Sequence, residues 1–267
     1  MTMASRYVLD MTKGNETKLL LQFTLPMLVG NIFQQFYNMV DSVIVGRFVG
    51  TNALGAVGSV GSITFLFFSL CMGLGSGIGI LISQYFGAGE EEYVKKIIAN
   101  SIYITLVTGL LMSLCGAALA EPILHLMHTP AENFADALVY MRIVCGFTVV
   151  VAGYNTVSAE LRALGDAKTP LIFLGVASVL NVVLDLLFVV PMQMGVAGAA
   201  WATVIAQFFA MLGSILYGYK KNEYLRLKRR HMDYDAEITK KTFQIGIPVA
   251  AQNALIAFSC VALQSVV

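Results

Sequence analysis

Long apolar stretches separated by short polar segments dominate the hydrophobicity pattern of this 267-residue chain. A helix that crosses a membrane needs roughly 20 mainly apolar residues, because the hydrocarbon core is about 30 Å thick. No removable signal peptide is expected, since residues 1–18 are polar and lack an apolar core. Seven later stretches are long enough to be predicted as spanning helices: 19–47, 54–86, 94–118, 133–159, 169–191, 197–219 and 243–267.

The positions of the six prolines agree with these limits. Two of them, Pro26 and Pro248, lie inside apolar stretches, where a proline kinks a helix and neighbouring helices must satisfy the freed carbonyl. We therefore expect a helix kink at Pro26. The other four fall at the edges of stretches, where helices start or stop: Pro122, Pro130, Pro170 and Pro191.

Composition narrows the class of protein. Apolar residues make up 57% of the chain and charged residues 12%, and the mean hydropathy is +0.75. These values exclude a disordered chain, a fibrous protein and an ordinary cytosolic enzyme. With 17 Lys and Arg against 16 Asp and Glu, the net charge of +1 excludes a nucleic-acid binder. The sequence therefore predicts an all-α polytopic membrane protein that is not an enzyme.

The four cysteines, Cys71, Cys115, Cys145 and Cys260, all sit in apolar stretches. They show no CxxC spacing and no neighbouring histidine, so the pattern does not indicate a metal site. We interpret them as packing residues and expect no cofactor.

The distribution of Lys and Arg over alternate connections predicts the orientation in the membrane. With the N-terminus in the cytoplasm, 15 of the 17 basic residues fall on the cytoplasmic side, and only Arg47 and Arg142 fall outside. The basic segment 220–230 is interpreted as a cytoplasmic loop, with contact to membrane lipids as a secondary role. We expect a multi-pass protein of the inner or plasma membrane.

An internal repeat suggests the domain organisation. Residues 18–36 align with residues 240–258 at a shift of 222, with five identical positions that include Pro26 and Pro248. An even number of spans between the two copies gives both the same orientation, as in parallel-repeat transporters. The predicted units are a cytoplasmic N-terminus (1–18), a six-helix lobe (19–219), a basic linker (220–242) and the first helix of a truncated second lobe (243–267). The chain is thus expected to need a C-terminal lobe of the same protein, and to be monomeric when complete.

Polar groups within the predicted spans mark a candidate site, because a charge at membrane depth costs at least about 2.5–3.5 kcal/mol. Asp41 and Asp185 both lie well inside apolar stretches. Helical spacing puts Asp41 on one stripe with Asn31, Gln34 and Asn38, with Tyr37 beside it, and places Asn181 four residues before Asp185. The topology brings Asp41, Asp185, Tyr140 and Thr203 to one depth in the outer half, but spacing does not show whether they meet. For Asn181 and Thr203, a role in helix–helix adhesion is an equal alternative.

A run of alternating glycines marks the second span: Gly73, Gly75, Gly77 and Gly79. No strand precedes the run and no GK[ST] follows it, so it is not a phosphate loop. We expect close helix packing or local flexibility at this position.

Three sequence segments resemble the MATE (multidrug and toxic compound extrusion) transporters. They are MVDSVIVGRFVGTNALGAVG (39–58), GSGIGILISQYFGAGEEEYVKK (75–96) and LRALGDAKTP (161–170). The resemblance extends along the whole chain and implies two six-helix lobes that exchange a cation for amphipathic, often cationic, compounds. The DinF-like branch of that family carries its cation site in the N-terminal lobe.

By this resemblance, Asp41, Asn181, Asp185 and Thr203 would form the cation-coupling site, which would bind H⁺ or Na⁺, with Tyr140 as a relay. Gln34, Tyr37, Asn38 and Asn155 are predicted to face the substrate cavity. Two acids in a low-dielectric site do not easily both ionise, which favours proton exchange, whereas hard oxygen ligands suit Na⁺. The sequence leaves both ions open.

The expected function is cation-coupled export of small amphipathic organic compounds. One alternative is a lipid-linked precursor flippase of the same superfamily, which would need a more cationic cavity than these spans provide. Another is an intramembrane aspartyl protease, suggested by the two membrane acids and by the string LGD at 164–166. However, Asp166 falls in the predicted inner loop, and Val40 precedes Asp41 where such enzymes carry a tyrosine.

Overall fold

The protein is an assembly of packed α-helices. A computed structural model describes residues 16–264, and no β-strand occurs in that range. The helices are α1 (Glu16–Phe48), α2 (Thr51–Gly87), α3 (Glu91–Leu126), α4 (Ala131–Gly146), α5 (Thr148–Ala163), α6 (Lys168–Val189), α7 (Gly195–Lys221) and α8 (Ala236–Gln264). The all-α fold class predicted from the sequence is confirmed.

Several of these helices are candidates for membrane spans. Within residues 16–264, four helices (α2, α3, α6 and α7) are long and apolar enough to cross a membrane, and the bent pair α4–α5 makes a fifth span if it is counted as one. The predicted spans in α1 and α8 do not meet this criterion over the described residues.

The predicted span 133–159 is two helices rather than one. α4 ends at Gly146, Phe147 leaves helical geometry, and α5 resumes at Thr148 with a bend of 46°. A break at membrane depth needs partners for the backbone groups that it frees. Thr148 Oγ1 donates to the Cys145 carbonyl at 2.7 Å, and the Val149 N–H donates to Ser113 Oγ of α3 at 3.0 Å. These contacts allow the span to bend without leaving those groups unsatisfied.

Pro122 does not end the third span, contrary to the sequence-based expectation. α3 continues through Pro122 to Leu126. Ala120 and Leu124, on either side of the proline, are fully buried in an apolar cluster with residues of α1, α2, α4 and α7. Packing of this last turn outweighs the one backbone hydrogen bond that the proline removes.

The segment LRALGDAKTP forms the turn between α5 and α6. Gly165 has a φ of +85°, a left-handed conformation that suits glycine at a helix C-terminus. The Asp166 carboxylate then accepts the N–H groups of Lys168 and Thr169 at 3.2 and 3.0 Å, which caps the start of α6. Asp166 of the LGD string is therefore a helix-capping residue in this structure.

Residues 222–235, called the strap here, connect α7 to α8 and lie against α3. Tyr103 donates to the Met232 carbonyl at 2.8 Å, and the Asn100 side chain accepts the Asp235 N–H at 2.8 Å and donates to the Asp233 carbonyl at 3.3 Å. Arg230 pairs with Glu92 at 2.7 Å. The predicted basic linker is thus attached to α3 at several points, and Asp235 caps α8 by accepting the Glu237 N–H at 2.8 Å.

Candidate functional site

Two acidic residues from different helices meet inside the bundle. Asp41 of α1 is 7% exposed and Asp185 of α6 is fully buried, and their carboxyl groups interact directly. One oxygen of each, Oδ1 in both cases, is buried without a hydrogen-bond partner. Two buried carboxyl groups in contact are not stable as two unshielded anions. They require a shared proton or a cation between them. The pair is therefore suited to bind one or the other.

Asn181 connects Asp185 to α7. It lies one turn before Asp185 and is also fully buried. With its amide nitrogen toward Asp185, it donates to Oδ2 at 2.8 Å and its oxygen accepts the Thr203 N–H at 3.2 Å. This orientation satisfies both ends of the amide, whereas the reverse brings the nitrogen 3.4 Å from Thr203 Oγ1. Asn181 thus fixes the direction in which the Asp185 carboxyl points.

Tyr37 links this polar cluster to a narrow cleft. Its hydroxyl donates to Thr203 Oγ1 at 3.4 Å, and its ring lines the cleft together with Gln34. The cleft runs between α1, α6 and α7, and its other lining residues are Leu174, Ala177, Ser178, Ala206 and Gln207. Gln207 Oε1 is buried there without a partner. The cleft is closed even to a water molecule in this structure, and Tyr37 is the side chain that connects it to the acidic cluster.

Tyr140 of α4 completes the arrangement of four helices. It is 9% exposed and lies within electrostatic range of Asp41, Tyr37 and Asp185. The predicted cation-coupling residues are therefore brought together from α1, α4, α6 and α7. Spacing along the chain could not establish this lateral meeting.

Two residues predicted for the cavity lie apart from this cluster, and the side chain at the predicted kink is not among the described residues. Asn38 is exposed on α1 and donates to Gln35 at 3.4 Å, and Asn31 is exposed as well, so the predicted polar stripe is divided between a buried and an open face. Asn155 is half-buried and donates to the Val151 carbonyl of its own helix at 2.8 Å. α1 runs through position 26, but the Pro26 side chain lies outside the described residues, so its kink stays a prediction.

The oxygen-rich cluster fits either ion proposed from the sequence. In the described part of the chain, no group of three or more His, Cys, Asp and Glu residues has the spacing of a metal site. Asp41 and Asp185 contribute two acids only, with the Asn181 and Thr203 oxygens beside them. Such a set suits a proton or Na⁺, whose binding requires few carboxylates and tolerates neutral oxygen ligands.

Sequence reasoning missed one buried acid, Glu160. It follows the end of the predicted span at 159, so the sequence-based limits place it outside the membrane. The structure extends α5 to Ala163 and leaves Glu160 only 4% exposed. The signal in the sequence was the helical continuation of the apolar pattern through Leu161 and Leu164, which are fully buried.

The fold and the acidic cluster define a multi-pass membrane protein with a polar site inside its helix bundle, as in transporters. The MatE family model matches residues 26–187, which is more than half of the chain. The chain therefore belongs to the MatE family of transporters.

Comparisons with individual proteins agree. The chain is 34% identical over 261 residues to the probable multidrug resistance protein YpnP of Bacillus subtilis, covering 97% of this chain and 58% of that protein. It is 31% identical over 252 residues to the probable multidrug resistance protein YoeA of the same species, covering 92% and 54%. A solved outward-facing multidrug resistance MATE family transporter of the MOP superfamily superposes with a TM-score of 0.83 at 25% identity, covering 93% of this chain and 55% of that one. The chain thus spans a little over half the length of the relatives that it matches.

Proposed function

We propose that this chain forms the first lobe of a two-lobe transporter that exports small amphipathic compounds in exchange for H⁺ or Na⁺. Membership of the MatE family and the names of the relatives support export of multiple drugs as the activity of the whole protein. The chain spans about half of those relatives, which supports a requirement for a second lobe. This chain joined to such a lobe is called the two-lobe protein.

The observation that carries the proposal is the Asp41–Asp185 contact beside the cleft lined by Gln34 and Tyr37. The coupling ion would bind between the two carboxyl groups, and the substrate would enter the cleft after it widens, because in this structure the cleft is closed even to a water molecule. Tyr37 contacts both regions through its bond to Thr203. Occupation of one region would then change the position of Tyr37 in the other, which is a physical basis for antiport.

The test is dye efflux by the two-lobe protein under separately imposed H⁺ and Na⁺ gradients. Asp41→Asn keeps the side-chain shape but cannot bind a proton or neutralise a cation, so coupled efflux should be lost while membrane insertion is retained. Ser42→Ala is the matched control, because the Ser42 hydroxyl donates to the Asn38 carbonyl of its own helix, and it should transport normally. Wild-type efflux by an inserted Asp41→Asn protein would show that Asp41 does not couple transport to the ion.

The requirement for a second lobe can be tested with the same assay. Alternating access in repeat transporters needs one unit to rock against another around a shared cavity. The 267-residue chain produced alone should therefore show no gradient-driven efflux, and supplying the second lobe as a separate fragment should restore it. Robust efflux by the chain alone, at a matched membrane level, would contradict the two-lobe proposal.

A further inference from the structure

Another buried carboxyl group, that of Glu160, lies apart from the Asp41–Asp185 pair. It stands near the C-terminal end of α5, on the face that packs against α3. It is 4% exposed, and among the described residues its hydrogen-bond partner is Ser101 of α3. The same face of α5 carries a second polar contact one turn earlier, where Thr156 meets Thr105 at 3.0 Å. The proposed ion and substrate sites do not use Glu160.

The hydrogen atoms available at this contact favour a protonated Glu160. Ser101 Oγ lies 2.5 Å from Glu160 Oε1 and 2.7 Å from the Ile98 carbonyl oxygen. A serine hydroxyl has one hydrogen and a carbonyl oxygen has none. If Ser101 donates to Ile98, the contact with Glu160 is a hydrogen bond only when the carboxyl group carries a proton and donates it to Ser101. Two separate hydrogen bonds at these distances require the neutral acid, whereas an ionised Glu160 would have to share the single serine hydrogen with the Ile98 carbonyl.

The electrostatic surroundings of Glu160 also favour the neutral acid. A buried carboxylate without a charged partner is strongly destabilised. None of the titratable groups on the elements around this end of α5 forms an ion pair or a hydrogen bond with Glu160 in the described part of the chain. These groups are Arg162 on α5, Asp166 and Lys168 in the following turn, Tyr85 on α2, Glu92, Lys95, Lys96 and Tyr103 on α3, Tyr217 and Lys220 on α7, Tyr224 and His231 in the strap, and Lys241 on α8.

An apolar cluster separates Glu160 from the end of the bundle where the strap lies. Ile98 and Leu164, which flank the Ser101–Glu160 contact, belong to this cluster. It also contains Ile238 of α8, with Leu225 and Leu227 of the strap packed against it. Because α8 continues from Ile238 into the predicted first helix of the second lobe (243–267), a movement of that lobe that displaces Ile238 would open the cluster and admit water to Glu160.

We propose that Glu160 is a second proton-binding site, which releases its proton to cytoplasmic water when this apolar cluster opens. On release, one proton passes to water, the carboxylate accepts the Ser101 hydroxyl hydrogen, and Ser101 gives up its bond to the Ile98 carbonyl. The charge of the lobe falls by one, and the reverse step restores it. The release step rests on the proposed transport function, whereas the protonated state of Glu160 in the closed structure does not.

Infrared spectroscopy of the purified two-lobe protein tests the protonated state. At neutral pH, the difference between wild-type and Glu160→Gln spectra should contain the carbonyl band of a protonated carboxylic acid. Ser101→Ala should keep this band but shift it to higher frequency, because the acid loses its hydrogen-bond acceptor. Glu132→Gln, which removes an exposed carboxylate on α4, should not affect the band. A difference spectrum with only carboxylate bands would overturn the proposal.

Proton release is tested by efflux at fixed external pH and varied cytoplasmic pH. Glu160→Gln is permanently neutral and should lose the part of the pH dependence that wild type shows, whereas Glu132→Gln should keep it. An unchanged pH profile in Glu160→Gln would show that the proton is fixed and would overturn its release. If the wild-type protein does not transport, the proposed function and with it the release step are wrong, while the infrared result still decides whether Glu160 is protonated.

Discussion

The hydrogen bonds made by neighbouring groups determine which oxygens of the Asp41–Asp185 pair stay open. Asn181 donates to Asp185 and accepts from the Thr203 backbone, so both ends of its amide are occupied. The two unpartnered carboxyl oxygens then remain as the places where a proton or a cation can bind. A neutral residue therefore controls the geometry of the acids.

Asn181→Ala should destabilise the folded protein as well as impair coupling. It leaves Asp185 Oδ2 buried without its donor, a loss worth about 1–3 kcal/mol. The measurement is thermal unfolding of the purified protein in detergent. Asn155→Ala is the control, since that half-buried amide donates only to the Val151 carbonyl of its own helix, and the change should cost much less stability. Equal unfolding temperatures for the two variants would contradict the bridging role of Asn181.

The glycines of α2 place two helices against its backbone on opposite faces. A Cβ at Gly73 would lie 2.4 Å from Ala250 Cβ, and one at Gly77 would lie 2.9 Å from backbone atoms of Thr242 and Gly246, all on α8. Gly75 and Gly79 instead face Thr156 and Ala159 of α5. Of the two expectations for the alternation, close packing and local flexibility, the structure shows close packing. The spacing of two residues turns successive glycines by about 200°, which directs them to opposite sides of the helix.

Gly73→Ala should separate α2 from α8. The added methyl group meets both side-chain and backbone atoms of Ala250, so the helices must move apart, at a cost of about 1–3 kcal/mol. The matched control is Gly61→Ala in the same helix, where nothing lies within 4 Å of the added atom and the change should be neutral or stabilising. Thermal unfolding of the two variants checks this, and a Gly73→Ala protein as stable as wild type would show that the contact is not tightly packed.

The strap, which connects α7 to α8, packs against α3 and is therefore part of the folded lobe. Its contacts with Asn100, Tyr103 and Glu92 all fall on one face of α3. Its basic residues thus lie at the end of the bundle where α2 ends and α3 begins. The predicted cytoplasmic location of the strap therefore fixes the expected orientation of the whole molecule.

That orientation can be tested by cysteine labelling of intact cells. In a background without native cysteines, a membrane-impermeant reagent applied outside should label Glu132→Cys at the start of α4 and should not label Arg229→Cys in the strap. Both positions are exposed, so accessibility differs only by side of the membrane. The basis is the division of Lys and Arg between the two sides. Labelling of Arg229→Cys in intact cells would reverse the orientation, and permeabilised cells serve as the control for reactivity.

The sequence by itself determined the features that depend on local pattern and on chain-wide hydrophobicity. The all-α class follows from apolar stretches of spanning length, and the close packing of α2 follows from its glycines. The importance of Asp41 and Asp185 as buried acids follows from their position within those stretches, because a charged group there is too costly to be incidental.

Only the tertiary structure decided which groups meet across helices. The contact between Asp41 and Asp185, the bridge formed by Asn181 and the exposure of Asn38 depend on helix rotation, which a stripe of polar positions along one helix does not define. The break at Phe147 became acceptable because Ser113, 36 residues earlier, accepts the Val149 N–H. Glu160 was hidden for the same reason: its burial comes from α3 packing against α5, and periodicity along one helix carries no information about the surface that a distant helix presents to it.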